Sequence, residues 1–408
     1  MRLRIPVQDD IVEMNATIHP SASFDEQRAA ESLERAMSGY GTDKAKVVEI
    51  LVRCNNAQRQ MIRTPYKVRY GKDLEAELKR ELSGELEDVI VALMQTPTKL
   101  DVLDIQKAVK GFGTNEKVLI EILASRSNEE IQAIRNTFYT TFDKSLDDTL
   151  WSETSGDFRR LLQILVQGNR DESSNGHFHK AVQEAHQIAR FGDKRNNYDK
   201  FDMYKVFATS SASHLGYLMS EYENITGHPI KEAIERDFSG DAKHLLLALM
   251  MIAQSKPKFF AHQIHDAIKG IGIRDKDLIR LLVSRAEIDL AAIQVEYERL
   301  FKKSLLQGIG IRDKDLIRLL VSRAEIDLAA IQVEYERLFK KSLLQGIGIR
   351  DKDLIRLLVS RAEIDLAAIQ VEYERLFKKS LLQVIREECK GAYREALLGI
   401  VKGNKSLN

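Results

Sequence analysis

Gly39-Tyr40-Gly41-Thr42 and Gly111-Phe112-Gly113-Thr114 each precede an acid that lies forty residues beyond the second glycine, Glu81 and Glu153. Residues of these types at this spacing suit the binding of a hard divalent cation. Ca2+ takes six to eight oxygens at about 2.3–2.6 Å. Glycine lets a loop turn its carbonyl oxygens inward without a Cβ clash. Glutamate is ionised near neutral pH and adds a carboxylate. Two or three carbonyls and one bidentate carboxylate leave coordination positions open, and a lipid phosphate can fill them. A single copy reads better as a helix C-cap beside a solvated acid. Two copies with the same spacing on a helical scaffold reverse that preference.

Other chemistries find no support. There is no G-x-S-x-G, Walker loop or EF-hand loop, and Gly111-Phe-Gly-Thr-Asn-Glu116 lacks the lysine of a phosphate-binding loop. His177, His179, His262 and His265 lack zinc-ligand spacing and nearby cysteines, and read as ordinary surface or core histidines. Asp275, Asp277 and Asp289 suit capping and surface pairing. No nucleophile, base and orienting group come together, so the chain is not expected to be an enzyme. Trp151 is the only tryptophan and stands two residues before Glu153. It reads either as a reporter of the second loop or as a core residue.

The scaffold for these loops is helical. In Leu278–Phe301, apolar residues recur three and four apart, as one face of a helix requires. Ser127-Asn-Glu-Glu130 has the form of a capping box. Glycines 39, 41, 111 and 113 punctuate the ends of helical runs. The fold class is all-α.

Two repeats overlie one another. Residues 270–307 recur letter for letter at 308–345 and 346–383, so two of the copies read as a recent tandem duplication or a deliberate insertion. An older repeat lies beneath. Glu81-Leu-Ser-Gly84, Glu153-Thr-Ser-Gly156, Asp237-Phe-Ser-Gly240 and Glu388-Cys-Lys-Gly391 mark four units of about 75 residues once the extra copies are set aside. The expected organisation is a tail at 1–23 and repeats at 24–96, 97–170, 171–255 and 256–408, each of about five helices.

Composition bounds the partners. The chain has 408 residues, 44% hydrophobic, with 62 Lys and Arg against 61 Asp and Glu. A balanced charge gives no basic field to hold nucleic acid, so no nucleic-acid partner is expected. Attraction to an anionic surface must come from local patches or a bound cation. The longest apolar run, Leu245–Ala253, is about half a membrane span. Cys54 and Cys389 make no disulfide framework, which suits a reducing compartment. Asn15-Ala-Thr17 matches a glycosylation sequon by chance.

The four-unit period and the two G-x-G-T loops, together with Asn55–Gln60, Ala124–Asn128, Thr154–Asp157 and Ser284–Asp289, resemble the annexin family from about residue 24 onward. The resemblance implies five helices per repeat and calcium loops on one convex, membrane-facing side. It places the carbonyls of Met37, Gly39 and Gly41 with Glu81, and those of Val109, Gly111 and Gly113 with Glu153. In the fourth repeat it places Leu344, Gly346 and Gly348 with Glu388, the one glycine register with an acid forty residues on. Tyr40, Phe112 and Ile347 then fall where a lipid headgroup layer would meet the loops, or pack as ordinary loop residues. The third repeat departs from the pattern, with Asn197 and Tyr198 in place of Gly-Thr before Asp237. The fourth carries Ile273, Ile311 and Ile349 in place of Thr.

By that resemblance the cofactor is Ca2+ and the partner an acidic phospholipid membrane. The location is cytoplasmic, peripheral on inner membrane faces when calcium rises. Membrane organisation, trafficking, repair and modulation of phospholipase are the implied roles. The N-terminal tail offers a place for a protein partner, and the duplicated helices offer a route to self-association. The alternative is a calcium-weak scaffold that self-associates through those helices.

Overall fold

Asp25 opens the first helix, where its carboxylate accepts the backbone N–H groups of Gln27 and Arg28. These are two of the donors that a helix start leaves without partners. The structure, a computed structural model, describes residues 16–39, 41–111, 113–174, 176–190, 199–269 and 273–305, with Ser380, Gln383 and Arg386 beyond them. The chain divides into two compact units, residues 1–320 and 321–408, and all the described helices lie in the first.

Every described element is a helix, as the sequence period demands. The first group is α1 (Glu26–Met37), α2 (Lys44–Val52), α3 (Asn56–Tyr70), α4 (Leu74–Glu81) and α5 (Gly84–Met94). The second is α6 (Pro97–Val109), α7 (Glu116–Ser125), α8 (Asn128–Phe142), α9 (Leu146–Glu153) and α10 (Gly156–Leu165). The third is α11 (Phe178–Ala189), α12 (Lys200–Thr209), α13 (Ala212–Thr226), α14 (Ile230–Asp237) and α15 (Gly240–Gln254). The fourth begins with α16 (Lys256–Ile268), α17 (Asp275–Arg285) and α18 (Leu290–Phe301).

Local chemistry sets the boundaries. Asn55 with Gln58, and Ser127 with Glu130, form complete capping boxes at the starts of α3 and α8. The third helix of every group stops in the left-handed region, at Gly71, Asp143, Gly227 and Lys302. Within a group the first helix packs on the third, as α1 on α3 and α16 on α18. Between groups, α5 packs on α17, α15 on α7, and α10 on α12. Leu33, Leu51, Ile62, Leu78 and Ile90 are wholly buried. Each such side chain contributes about 1.5–3 kcal/mol relative to exposure.

The first copy of the duplicated segment supplies α17 and α18, and it is seated against the first two groups. Arg280 donates to Glu121 at 2.7 and 3.0 Å, and both side chains are buried. Glu287 pairs with the buried Arg59 and accepts the Asn56 N–H at 2.9 Å. Thr17 and Ile18 donate their backbone N–H groups to Ala286 O at 2.7 and 3.0 Å. Thr17 is fully buried by this docking. The copies at 308–345 and 346–383 lie outside the described residues, apart from Ser380 and Gln383.

Candidate metal centre

Helix α1 ends on Met37, whose side chain is buried and anchors the loop that follows. Gly39 and Gly41 then take φ of 154° and 93°, and the Asp43 N–H donates back to Ala36 O at 2.8 Å. The second loop repeats this closely. Val109 ends α6, Gly111 and Gly113 take φ of 136° and 91°, and the Asn115 N–H donates to Ala108 O at 2.8 Å. A Cβ on any of these four glycines would meet nothing within 4 Å. The positive φ, not crowding, therefore selects glycine. After α16 the Arg274 N–H donates to Ala267 O at 2.9 Å, which closes a third loop in the same register.

The acids are positioned just as regularly. Helices α4, α9 and α14 each have eight residues and end on Glu81, Glu153 and Asp237. An extended residue and a serine follow, and then Gly84, Gly156 and Gly240 at φ of 66°, 60° and 57°. A threonine ties loop to acid at both complete positions. Thr42 Oγ1 donates to Glu81 Oε2 at 2.6 Å, and Thr114 Oγ1 donates to the Glu153 backbone carbonyl at 2.8 Å.

The acids differ in what holds them. Glu81 is engaged by Thr42 and by Arg80, whose guanidinium lies 3.1 Å from Oε1. The Thr42 hydrogen bond first, and then Arg80, hold its carboxyl below the usual carboxylate range. Glu81 thus stays charged when the pH falls into the range where an ordinary glutamate takes up a proton. The Glu153 carboxylate is exposed and makes no hydrogen bond or ion pair among the described residues, where only the backbone carbonyl of Glu153 is engaged, by Thr114. Asp237 is gripped at 2.8 Å on each oxygen by Arg236, which lowers its pKa. The loop that would serve Asp237, at 191–198, lies outside the described residues.

Arg80 and Arg236 went unremarked in the sequence, although the signal was an arginine directly before the acid. Arg80→Gln is expected to tighten calcium binding at the first loop several-fold, because the ion no longer competes with a guanidinium. Titration calorimetry with calcium alone checks this, and an unchanged or weaker affinity would refute it.

Trp151 is 56% exposed, and the Arg159 guanidinium sits 4.7 Å over its ring. The core reading of this residue is therefore set aside. Its emission is expected to change when the second loop takes calcium. A titration followed at the tryptophan band, with Glu153→Gln as the control that blunts the change, measures this.

Tyr40 and Phe112 lie outside the described residues, as do Leu344, Gly346, Ile347, Gly348 and Glu388. The donor set that is described consists of oxygens from loop carbonyls and one carboxylate, which fits a hard cation such as Ca2+. Among the described residues no three His, Cys, Asp or Glu side chains cluster to hold a metal. Backbone oxygens would thus carry most of the coordination.

A family model described as annexin matches residues 28–93, 101–165, 183–249, 259–310, 306–348 and 344–400. The chain belongs to the annexin family. Annexin A11 of Oryctolagus cuniculus is 43% identical over 289 residues, covering 71% of this chain and 58% of that protein. This chain thus spans somewhat over half the length of that relative. Annexin A5 of Gallus gallus is 40% identical over 291 residues, covering 71% of this chain and 91% of that one. Among solved structures, annexin III superposes with a TM-score of 0.73 at 37% identity, covering 76% of this chain and 97% of that one. A calcium-bound annexin (Sm)1 superposes with a TM-score of 0.66 at 30% identity, covering 76% and 92%. Annexins are calcium- and phospholipid-binding proteins that generally lack enzymatic activity. The described helices of this annexin are all-α as expected, and none is long and apolar enough to cross a membrane.

Proposed function

We propose that this annexin binds acidic phospholipid membranes reversibly, through Ca2+ held in its loops. The observation that carries the reading is the threonine tether, which draws a glycine-rich loop to an acid-ended helix at two equivalent places. The carbonyls of Met37, Gly39 and Gly41 with Glu81 would hold one ion, and those of Val109, Gly111 and Gly113 with Glu153 a second. Leu344, Gly346, Gly348 and Glu388 are proposed as a third set. When bound, the ion supplies positive charge facing the lipid phosphates. The chain's own residues hold carbonyl oxygens in place and keep a carboxylate charged, and Tyr40, Phe112 and Ile347 would meet the headgroup layer. Several weak sites on one surface give avidity far above any one of them.

A cytoplasmic location, a partner for the N-terminal tail and self-association through the duplicated helices belong to the same proposal. Cosedimentation with phosphatidylserine vesicles across a calcium titration tests it. The chain is expected to pellet with calcium and to return to solution with chelator. If it stays in solution at millimolar calcium, the membrane reading fails and a calcium-weak scaffold takes its place.

A further inference from the structure

Trp151 stands in the last turn of α9, the helix that ends on Glu153. A separation of two residues sets it about 3 Å along the axis from the acid and roughly 200° around it. The indole thus lies beside the proposed calcium position without competing for the ion. Tryptophan is highly buried on average in folded chains, yet more than half of this one faces solvent. The position faces water in the other repeats too. Two residues before Glu81, Asp237 and Glu388 stand Lys79, Glu235 and Arg386, all exposed and all charged. Only the second repeat puts an indole there.

The ring is held in place. The Arg159 guanidinium sits over one face at 4.7 Å. Its Nε donates to the carbonyl of Thr154, one residue beyond Glu153, at 2.5 Å. A side chain held in this way loses little freedom when its other face meets a partner. The exposed neighbours Ser152, Ser155 and Gly156 are small and uncharged, so the indole is the bulkiest exposed side chain of residues 151–156. An indole is poorly placed in water. It is well placed in the headgroup layer of a membrane, which takes both its apolar body and its polar N–H.

We propose that Trp151 is a lipid-contacting residue of the second repeat: when calcium joins Glu153 to lipid phosphate, the indole enters the headgroup layer at the angle that Arg159 sets. This rests on the membrane reading above and adds a contact that the first repeat, with Lys79 in the same place, lacks.

The test uses the full chain, in which Trp151 is the only tryptophan and hence its own probe. Phosphatidylserine vesicles carry phosphatidylcholine brominated near the carbonyl end or near the methyl end of its acyl chains. With calcium, wild-type emission is expected to shift to the blue and to be quenched more by the first lipid than by the second, and chelator should reverse both changes. At saturating calcium, Trp151→Ser is expected to need several-fold more lipid for half-maximal cosedimentation, and Trp151→Phe to stay near wild type. Calorimetry without lipid should give all three chains the same calcium affinity. Wild type that pellets with calcium but shows neither blue shift nor quenching would overturn the contact and leave the membrane reading standing. Wild type that fails to pellet would overturn both. A loss of calcium affinity in Trp151→Ser without lipid would make the residue a support of the loop and overturn the contact. A blue shift in calcium alone that grows with protein concentration would put a second copy of the chain on the ring, and would overturn it as well.

Discussion

Glu153→Gln is expected to raise the calcium needed for half-maximal binding to phosphatidylserine vesicles by about tenfold or more, and Glu81→Gln by less. Removing even an outer partner of a metal ligand costs ~10–100-fold in affinity, and a charged ligand matters at least as much. The two acids have the same place in their repeats but start from different states. Glu153 carries a free, exposed carboxylate that an ion can take at once. Glu81 must first leave Thr42 Oγ1 and Arg80. At partial calcium loading the second loop therefore fills first, and its loss shows most. Gln keeps the shape of the side chain, and Glu153 supports no other contact, so the melting curve of Glu153→Gln should overlay that of wild type. The experiment is a paired titration by cosedimentation and calorimetry. If Glu81→Gln moved the midpoint more than Glu153→Gln, the ranking would be wrong. If neither moved it, the bridging mechanism would be wrong.

The second large effect concerns the fold. Arg280→Ala leaves Glu121 as a buried charge with no counter-ion, and breaking such a pair costs about 3–5 kcal/mol. A fall in Tm on the order of 10 °C is expected. Glu121→Leu with Arg280→Met should recover much of it, because a filled apolar pair avoids the desolvation of two charges. The sequence offers two identical arginines in the other copies, Arg318 and Arg356. Arg318→Ala and Arg356→Ala are expected to leave the same transition in place. Equal losses at all three positions would mean that the copies exchange places against the second repeat.

That prediction also shows where reading the letters stops. Three copies with identical residues have identical chemistry, so no pattern in them says which one faces Glu121. Chain connectivity decides it. Helix α16 feeds directly into the first copy across a short loop, and a short closure costs less entropy than one that skips a copy. The glycine loops, the forty-residue spacing and the helical period were legible because each rests on a local rule. The Ser127 capping box was legible for the same reason, and it appears with both of its hydrogen bonds. Thr42 and Thr114 stood in the motif, yet nothing in their type says that one would donate to a side chain and the other to a backbone carbonyl. The grip of Arg236 on Asp237 depends on how an exposed guanidinium folds over a helix end. Trp151 reads as core by hydrophobicity alone, but at the end of the short helix α9 it faces outward.

Thr17 and Ala286 are 269 residues apart in sequence, and Arg59 and Glu287 are 228 apart. A ribosome adds about 5–20 residues per second. During synthesis the N-terminal segment therefore waits roughly 15–50 s for the backbone that will clasp it. Over much of that time Arg59, buried in the finished protein, has no carboxylate to meet. The first repeat must then remain solvated at this corner while the next two are made, and it seals only when the fourth arrives. A nascent chain halted before residue 287 should accordingly expose its N-terminal segment to a protease, while one that has cleared the clasp should resist it.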